Sequence, residues 1–427
     1  MRTPGGLWRH RDFMSLWGAE TISQFGTQVT LLALPLVAIL TLDESASRVA
    51  LLTTAEFLPF LLFTLPAGVL VDRLPRRPIL IFANLGRAAA LVSVPVAYWL
   101  DALSIWQLYA VGFAVGIGTV FFDLAYQSYL PRLVERADLV EGNSKLEVSR
   151  SAAQMAGPGL GGLLVSVLTA PVAIAVDAVS YVASAFLMSR IRASEPRTPR
   201  EERRSLLAEL REGLGYVMRH RYQRAIVATT AISNFFGQLV FAVVLVYAVR
   251  ELGLTAAAIG VVISLGSIGT LLAAVTARRV GNALGVGRTV LVSTFIFGPA
   301  SLLIAFAPAD RAAELIVAAI ALLGYGGTLY NVTMISLIQA ITPDRILGRA
   351  NASRRFVVWG VIPLGGIVAA VLAETIGVRE TIVVGALGGV LAVVPILFSP
   401  IRSIGDMSEV EDQSPSPAIA SASSAPA

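Results

Sequence analysis

The sequence has no cysteine and only two histidines, His10 and His220. Disulfide bonds and catalysis by a thiol are therefore excluded. The histidines lie far apart and form no H-E-x-x-H or similar metal spacing, and the sequence has no G-x-x-x-x-G-K-[ST] loop for ATP. Because no catalytic constellation is present, we expect neither an enzyme nor a resident cofactor or metal.

Charged residues are scarce as well, at 14% of the 427 residues, whereas soluble proteins carry about 25%. Hydrophobic residues make up 56% of the chain. Apolar segments of about 20 residues recur from end to end, and each is long enough to cross the bilayer hydrocarbon as a helix. These features predict an all-α membrane protein that crosses the lipid bilayer many times.

Charges and clusters of Gly, Pro and Asp divide the apolar sequence into twelve spans. The first six are predicted at 17–41, 49–71, 78–100, 104–128, 146–168 and 170–190. After a polar stretch, the other six are predicted at 225–249, 255–277, 289–308, 314–340, 355–376 and 379–400.

The basic residues indicate how the spans are oriented, because loops rich in Lys and Arg stay on the cytoplasmic side of a membrane. With the amino terminus inside, most of the 33 basic residues fall in cytoplasmic segments. All of them except Lys145 are arginine, which is typical of a GC-rich bacterial genome. We expect a multi-pass protein of a bacterial inner membrane with both termini cytoplasmic. No basic block is interleaved with aromatics, so no nucleic-acid partner is predicted.

The chain also contains an internal repeat. A shift of 208 residues aligns Phe122 with Tyr330, and a shift of 210 aligns the S-Q-F at 23–25 with the S-N-F at 233–235. Parallel repeats of six spans imply two pseudo-symmetric six-helix bundles with a cavity between them. The predicted domains are a bundle at 1–190, a cytoplasmic linker at 191–224, a second bundle at 225–400 and a disordered tail at 401–427.

The linker carries a one-sided pattern of leucines. Leu206, Leu207, Leu210, Leu214 and Val217 share one helical face, and arginines occupy the other. This pattern predicts an amphipathic helix on the inner leaflet of the membrane. A solvated linker with a charged helix is the alternative.

The loop between spans 2 and 3 carries a charged motif, Gly68-x-x-x-Asp72-Arg73-x-x-Arg76-Arg77. It resembles the G-x-L-x-D-R-x-x-R-R signature of the major facilitator superfamily, whose transporters have twelve spans in two duplicated halves. The resemblance implies that Asp72 contacts span 11 of the other half and holds the cytoplasmic side shut. A turn that merely marks the cytoplasmic side is the alternative.

Span 5 contains Gly157-Pro158-Gly159-Leu160-Gly161-Gly162, which resembles the G-P-x-x-G-G motif of exporters in that superfamily. The stretches NSKLEVSRS, FFDLAYQSYLP and VDAVSYVASA resemble a bacterial branch with macrolide, multidrug and siderophore efflux proteins. The resemblance implies export rather than uptake, whereas close helix packing alone is the alternative. Span 4 lacks the embedded arginine of the drug/proton antiporters, so coupling by their route is not implied.

Polar groups inside a span are functional candidates because they are costly to bury in lipid. In the superfamily, spans 1, 4, 7 and 10 line the cavity, which favours residues on those spans. Glu56 on span 2 is kept as a further proton candidate. The candidate residues for the proton and substrate cavity are Glu20, Gln24, Glu56, Asp123, Gln127, Asn234, Gln238, Tyr330 and Asn331. Glu20 could instead be a solvated interfacial acid, and Asp123 could have a purely structural role.

These observations predict a secondary active transporter that exports a small amphipathic or lipophilic compound by alternating access. Proton antiport is the expected coupling, and the expected state is a monomer. A siderophore or lipid exporter of the same fold is the alternative. A sensor or scaffold is disfavoured, since such a protein would not need to keep the charged loop and the polar spans.

Overall fold

The protein is described here by a computed structural model that covers residues 6–135, 138–193 and 206–405. In these residues, twelve helices are long and apolar enough to cross a membrane, which confirms the predicted spans. The first six are α1 (Arg11–Leu36), α2 (Ala46–Arg73), α3 (Arg76–Trp99), α4 (Ile105–Leu133), α5 (Leu139–Leu168) and α6 (Ala170–Ser189). Residues 194–205 of the predicted linker and 406–427 of the predicted tail lie outside the described residues.

A linker helix, Leu206–Arg219, precedes the second bundle. The bundle begins with α7 (Arg221–Val246), and α8 and α9 are each built from two segments. The segments of α8 are Ala256–Gly266 and Ile268–Leu284, and those of α9 are Val286–Phe295 and Phe297–Ala305. The last three are α10 (Ala312–Ile341), α11 (Asp344–Thr375) and α12, which runs from Val378–Val390 through short turns to Leu397.

Several helices extend beyond the apolar stretches that predict them. α1 begins at Arg11, α2 continues to Arg73 and α11 begins at Asp344. Hydropathy reports only the part of a helix that needs a non-aqueous environment. Arg and Glu are good helix formers, so the backbone can continue as a helix beyond the hydrocarbon.

The two bundles repeat the same local backbone geometry. α1 and α7 each continue into a five-residue π-helical turn, at Val37–Thr41 and Tyr247–Glu251. Ser45 and Thr255 then cap the following helices, since the side chain of each accepts a hydrogen bond from the backbone N–H three residues later. Both pairs of features are separated by the same shift of 210 residues found in the sequence. The fold is therefore two pseudo-symmetric bundles, as predicted.

Each bundle has its own packing, and the bundles meet along two seams. In the first bundle α1 packs against α5 and α6, while α3 packs against α4 and α6. In the second, α7 packs against α11 and α12, and α10 packs against α8 and α9. The two seams are α2 with α11 and α5 with α8. These seams place a cavity between the bundles.

The linker helix packs against α11 rather than standing alone. Val217 is fully buried and clusters with Val227 and Ala350. Glu212 forms an ion pair of 2.9 Å with Arg349 on α11. The apolar side of the linker helix is thus covered at Val217 by the second bundle. The side chains of Leu206, Leu207 and Leu210, which belong to the predicted apolar face, lie outside the described residues.

The bundles are in contact at one end of the molecule and separated at the other. We call the end with the linker helix the linker side, and the end with the α1/α2 and α7/α8 connections the far side. At the far side Ser47 donates a hydrogen bond of 2.8 Å to Glu374 across the α2/α11 seam. At the linker side a cleft lined by Val148 of α5 and Leu271 of the second α8 segment lies between the bundles, whereas α5 packs against the first α8 segment, which is nearer the far side. The described residues therefore form a state that is closed at the far side and open at the linker side.

Candidate functional site

A cavity of about 490 Å³ lies between the two bundles, nearer the far side. Its walls come from α1 and α5 of the first bundle and from α7, α8, α9 and α10 of the second. Among its lining residues are Gln28, Leu32, Pro158, Phe241, Phe297 and Ile320. Gln28 is the one lining side chain with a polar amide, and the rest of the wall is almost entirely apolar. A largely apolar cavity with one polar group suits a lipophilic molecule with a hydrogen-bonding function.

None of the nine cavity candidates from the sequence lines this apolar space. Of the four helices expected to line the cavity, α1, α7 and α10 contribute residues and α4 contributes none. The rest of the wall comes from α5, α8 and α9. The candidates on α1 lie on the same helix face as Gln28, because Glu20, Gln24 and Gln28 are spaced four residues apart. A polar track therefore runs along α1 from the apolar cavity toward the linker side.

Glu20 is buried, with 6% of its surface exposed. Gln24 donates a hydrogen bond of 2.7 Å to one carboxyl oxygen of Glu20. The other oxygen, Oε2, is buried and has no hydrogen-bond partner among the described residues. An unsatisfied buried carboxyl oxygen is costly. The carboxyl group of Glu20 can therefore take up a proton or bind a cation at this oxygen.

Glu56 of α2 points toward α4. A Cβ at Gly112 would come within 3.0 Å of Glu56 Cγ, and a Cβ at Gly116 would come within 2.4 Å of the Glu56 carbonyl oxygen. These two glycines create the space in which the acid lies against α4. No hydrogen bond or ion pair to the Glu56 carboxyl group occurs in the described part of the chain. An unpaired acid between two packed helices is also a candidate proton site.

Asp123 of α4 lines a second, much smaller space, which reaches α11. Arg355 and Trp359 of α11 line this space together with Phe60 of α2. Gln127, one turn further along α4, is exposed. The structure thus places Asp123 at the junction of the two bundles, apart from the apolar cavity.

The candidates of the second bundle make contacts mainly within that bundle. Asn234 donates a hydrogen bond of 2.9 Å to the carbonyl of Val358. The hydroxyl of Tyr330 lies 2.6 Å from that of Thr230. Gln238 is buried and its Nε2 has no described partner. Asn331 is exposed.

The glycine motif of α5 brings three helices together. A Cβ at Gly157 would come within 2.4 Å of Gln28 Cβ on α1, and one at Gly161 within 3.2 Å of Val29 Cα. Gly162 faces the other bundle, where a Cβ would come within 2.4 Å of the Ala256 carbonyl oxygen. The motif is therefore part of the α5/α8 seam as well as of the first bundle, in agreement with small residues at membrane helix contacts.

The charged loop between α2 and α3 is attached to its own bundle. Arg77 donates hydrogen bonds to the carbonyl of Met188 at 3.2 Å and to that of Ser189, at the end of α6. Arg76 is buried and Arg73 is exposed. The side chain of Asp72 lies outside the described residues. A cation at a helix carboxyl end is favourable, so Arg77 has a local role within the first bundle.

Sequence reasoning did not single out Arg87 of α3. This side chain is 3% exposed, and its guanidinium lies 4.5 Å from the ring centre of Phe122 and 4.1 Å from that of Tyr181. It also donates a hydrogen bond to Asn84. A Cβ at Gly118 would come within 2.6 Å of Arg87 Cγ, so that glycine leaves room for the arginine against α4. The available signal was that Arg87 is the one charged residue in predicted span 3.

Next to Arg87, α1 and α6 share a buried acid. Asp177 is fully buried and accepts hydrogen bonds of 2.5 Å from Thr30 and 2.8 Å from Ser180. A Cβ at Gly26 would come within 2.2 Å of Asp177 Oδ1, so α1 can approach only because it has glycine there. Unlike Glu20, Asp177 has described partners for both oxygens, which favours a structural role in the first bundle.

Two six-helix bundles around a cavity that opens at one end define the class of the protein, a membrane transporter of the major facilitator type. The sequence model of the family described as transmembrane secretion effector, MFS_3, matches residues 5–424. The chain belongs to this family. The resemblance inferred from the charged loop and the glycine motif is thereby confirmed.

Two relatives match over nearly the whole chain. The multidrug efflux pump Tap of Mycolicibacterium fortuitum is 27% identical over 385 residues, which cover 88% of this chain and 92% of Tap. Macrolide efflux protein A of Streptococcus pyogenes is 24% identical over 406 residues, which cover 92% of this chain and 97% of that protein. The solved nucleoside transporter NupG superimposes with a TM-score of 0.74 at 12% identity, over 90% of this chain and 98% of NupG. The likeness to NupG concerns the fold alone.

Proposed function

We propose that the protein exports a small lipophilic or amphipathic compound by alternating access, in exchange for protons. The observation that carries this proposal is the apolar cavity of about 490 Å³ between the bundles. The bundles meet at the far side through Ser47 and Glu374, and the cleft at Val148 and Leu271 separates them at the linker side. A molecule that enters from the linker side meets the polar track of α1 before the apolar wall. Relatives described as multidrug and macrolide efflux proteins support the direction of transport.

The positive-inside distribution of arginine identifies the linker side as cytoplasmic in this proposal. The open state described here is then the state that loads substrate from the cytoplasm. The protein would lie in a bacterial inner membrane with both termini cytoplasmic and would function as a monomer, because each chain carries a complete cavity between its own two bundles.

Proton coupling is assigned to Glu20, Glu56 and Asp123. Glu20 has one unpartnered buried oxygen, and Glu56 and Asp123 have no hydrogen-bond partner among the described residues. A carboxyl group in a poorly solvated site is stable when neutral and costly when charged. Proton binding and release change the charge of these groups, and the proposal is that this change shifts the balance between the two states of the transporter.

Reconstituted protein in proteoliposomes tests this function. Ethidium serves as a lipophilic cation and a macrolide as a bulkier probe, and the measurement is uphill movement of either probe driven by an imposed pH gradient. We expect Glu20→Gln, Glu56→Gln or Asp123→Asn to abolish the gradient-driven movement while probe exchange partly persists. Glu314→Gln removes an exposed acid at the start of α10 and serves as the matched control. Full gradient-driven transport in all three variants of Glu20, Glu56 and Asp123 would contradict the proposal.

A further inference from the structure

A small space beside Asp123 lies between the two bundles. Asp123 comes from α4 of the first bundle, and Arg355 and Trp359 come from α11 of the second. The space measures only about 20 Å³, which is roughly the room that one water molecule needs. An acidic side chain of one bundle and a basic side chain of the other thus line the same space, which is about the size of one water molecule.

Aromatic contacts fix the position of Arg355. Its guanidinium carbon lies 5.5 Å from the ring centre of Trp359, on the same helix. Trp359 in turn lies 5.1 Å from Phe60 of α2, ring centre to ring centre, so the stack crosses the α2/α11 seam. Asp123 and Arg355 do not form an ion pair in this state, although both side chains are described. The two side chains line the same space but are not joined as an ion pair.

Other charged and titratable groups also surround Asp123. Arg87 of α3, Arg150 of α5 and Arg355 of α11 act on it electrostatically. Three further groups in its electrostatic environment belong to the first bundle, namely Glu20 on α1, Tyr126 on α4 and Tyr181 on α6. All of these groups except Arg355 belong to the same bundle as Asp123. Their distances to Asp123 need not change when one bundle moves as a unit against the other, whereas the distance to Arg355 must change.

We propose that Arg355 is the positioning residue through which the second bundle responds to the protonation of Asp123. Ionised Asp123 attracts Arg355, draws α11 toward α4 and favours closure of the linker side. Neutral Asp123 loses this attraction and lets the linker side open. The inference rests on the proposed proton exchange and assigns its conformational step to one pair of side chains.

The direction in which protonation of Asp123 shifts the conformation agrees with exchange of substrate for protons. A proton that binds from the far side neutralises Asp123, and the linker side then opens to release it. Loss of the proton restores the charge, so the linker side closes around bound substrate and the far side can open. A ligand or proton shifts such an equilibrium only through its different interaction with the two states. The variable distance to Arg355 supplies that difference.

The test measures conformation directly. Val148 of α5 and Leu271 of α8 line a cleft between the bundles and are 69% and 38% exposed. The chain has no native cysteine, so Val148→Cys with Leu271→Cys gives a unique pair for spin labels. We expect the distance between the labels in lipid nanodiscs to shorten from acid to alkaline buffer. Asp123→Asn or Arg355→Gln should reduce this pH response by roughly tenfold, and the double variant should add little because the two residues act as one pair.

Two variants separate this role from a general effect on folding. Arg355→Lys keeps the charge and should retain most of the pH response. Arg354→Gln removes a charge from the adjacent residue, which interacts with Tyr330 of α10 in its own bundle, and should leave the response intact. An unchanged response in Arg355→Gln, or an equal loss in Arg354→Gln, would overturn the inference. Absence of transport with an intact Arg355-dependent response would instead count against the proposed function alone.

Discussion

Thr169 and Gly377 occupy the same place in the two bundles, at the junctions of α5 with α6 and of α11 with α12. They are 208 residues apart, and their φ angles are +83° and +105°. Glycine reaches this backbone region freely, whereas a residue with a Cβ is strained there. The repeat therefore retains the turn in both halves but has the favourable residue in only one.

Replacement of Thr169 by glycine should stabilise the protein. A strained non-glycine residue costs on the order of 1–3 kcal/mol, and the added freedom of glycine in the unfolded chain offsets roughly 0.5–1 kcal/mol of the relief. We expect Thr169→Gly to raise the thermal unfolding midpoint in detergent. Ser166→Gly, within α5, is the matched control and should lower it. A midpoint for Thr169→Gly at or below that of the parent protein would contradict the strain argument.

An ion pair joins the two bundles at the far side and gives a second prediction. Arg250 donates to Asp43 at 2.7 Å and to the carbonyl of Glu44 at 2.9 Å. Exposed ion pairs are worth roughly 0.2–1 kcal/mol, so Arg250→Gln should raise the far-side-open population a few-fold at most. The measurement is the rate at which an impermeant maleimide labels Leu31→Cys in the cavity wall from the far side.

The control for this labelling experiment is Arg48→Gln. Arg48 pairs with Glu44 at 2.7 Å within the first bundle, so its removal leaves the pair of Arg250 with Asp43 in place. Because salt screens exposed charges, the difference between the parent protein and Arg250→Gln should shrink at high ionic strength. Equal labelling of the Arg250 and Arg48 variants would mean that the α2/α11 and α5/α8 seams close the far side without help from this pair.

The fold could be predicted from the sequence to a large extent, because each span must be long enough and apolar enough to cross the membrane as a helix. The repeat shifts of 208 and 210 residues were also readable, and they recur in the backbone at Thr169 and at the π-helical turns. Helix ends were less predictable. α1 begins at Arg11, since a helix can continue where hydropathy has already fallen.

The candidate site was harder to predict, because a cavity depends on which helix faces meet. Gln28 belongs to the polar face of α1 that the sequence shows, but the apolar wall of α9 carries no sequence signal that separates it from a lipid-facing surface. Arg87 and Arg355 were both visible as charges. Their surroundings could not be read from the sequence, because they depend on contacts between helices distant in sequence. Arg87 lies between two rings, and Arg355 shares a space with Asp123.

Gly162 gives a third prediction, on the α5/α8 seam. A Cβ there would come within 2.4 Å of a backbone oxygen at Ala256, and backbone cannot move aside as a side chain can. Gly162→Ala should therefore push the bundles apart at the far side, impair transport and cost about 1–3 kcal/mol of stability through overpacking. Gly327→Ala on α10 meets no described atom within 4 Å and should be tolerated. Similar thermal midpoints and transport rates for the two variants would rule out a seam that depends on glycine.

The last prediction concerns Asp72, whose expected contact with α11 belongs to the state in which the linker side is closed. In the open state described here, the cleft at Val148 and Leu271 separates the bundles at the linker side. An acid near a helix amino end contributes about 0.3–2 kcal/mol. Asp72→Asn should therefore raise the linker-side-open population by roughly twofold to thirtyfold. Expression should be unchanged and transport slowed, because only one of the two states loses a contact.

Ser336 is exposed near the linker-side end of α10 and gives a site for measuring this shift. A cysteine at position 336 should react faster with an impermeant maleimide from the linker side when Asp72 is replaced by asparagine. Asp101→Asn, at the far side, is the matched control: the left-handed φ of +52° at Asp101 suits asparagine as well. Equal labelling rates with and without Asp72 would mean that the charged loop only marks the cytoplasmic side. In that case closure of the linker side would depend on pairs such as Asp123 and Arg355, whose interaction changes with the proton.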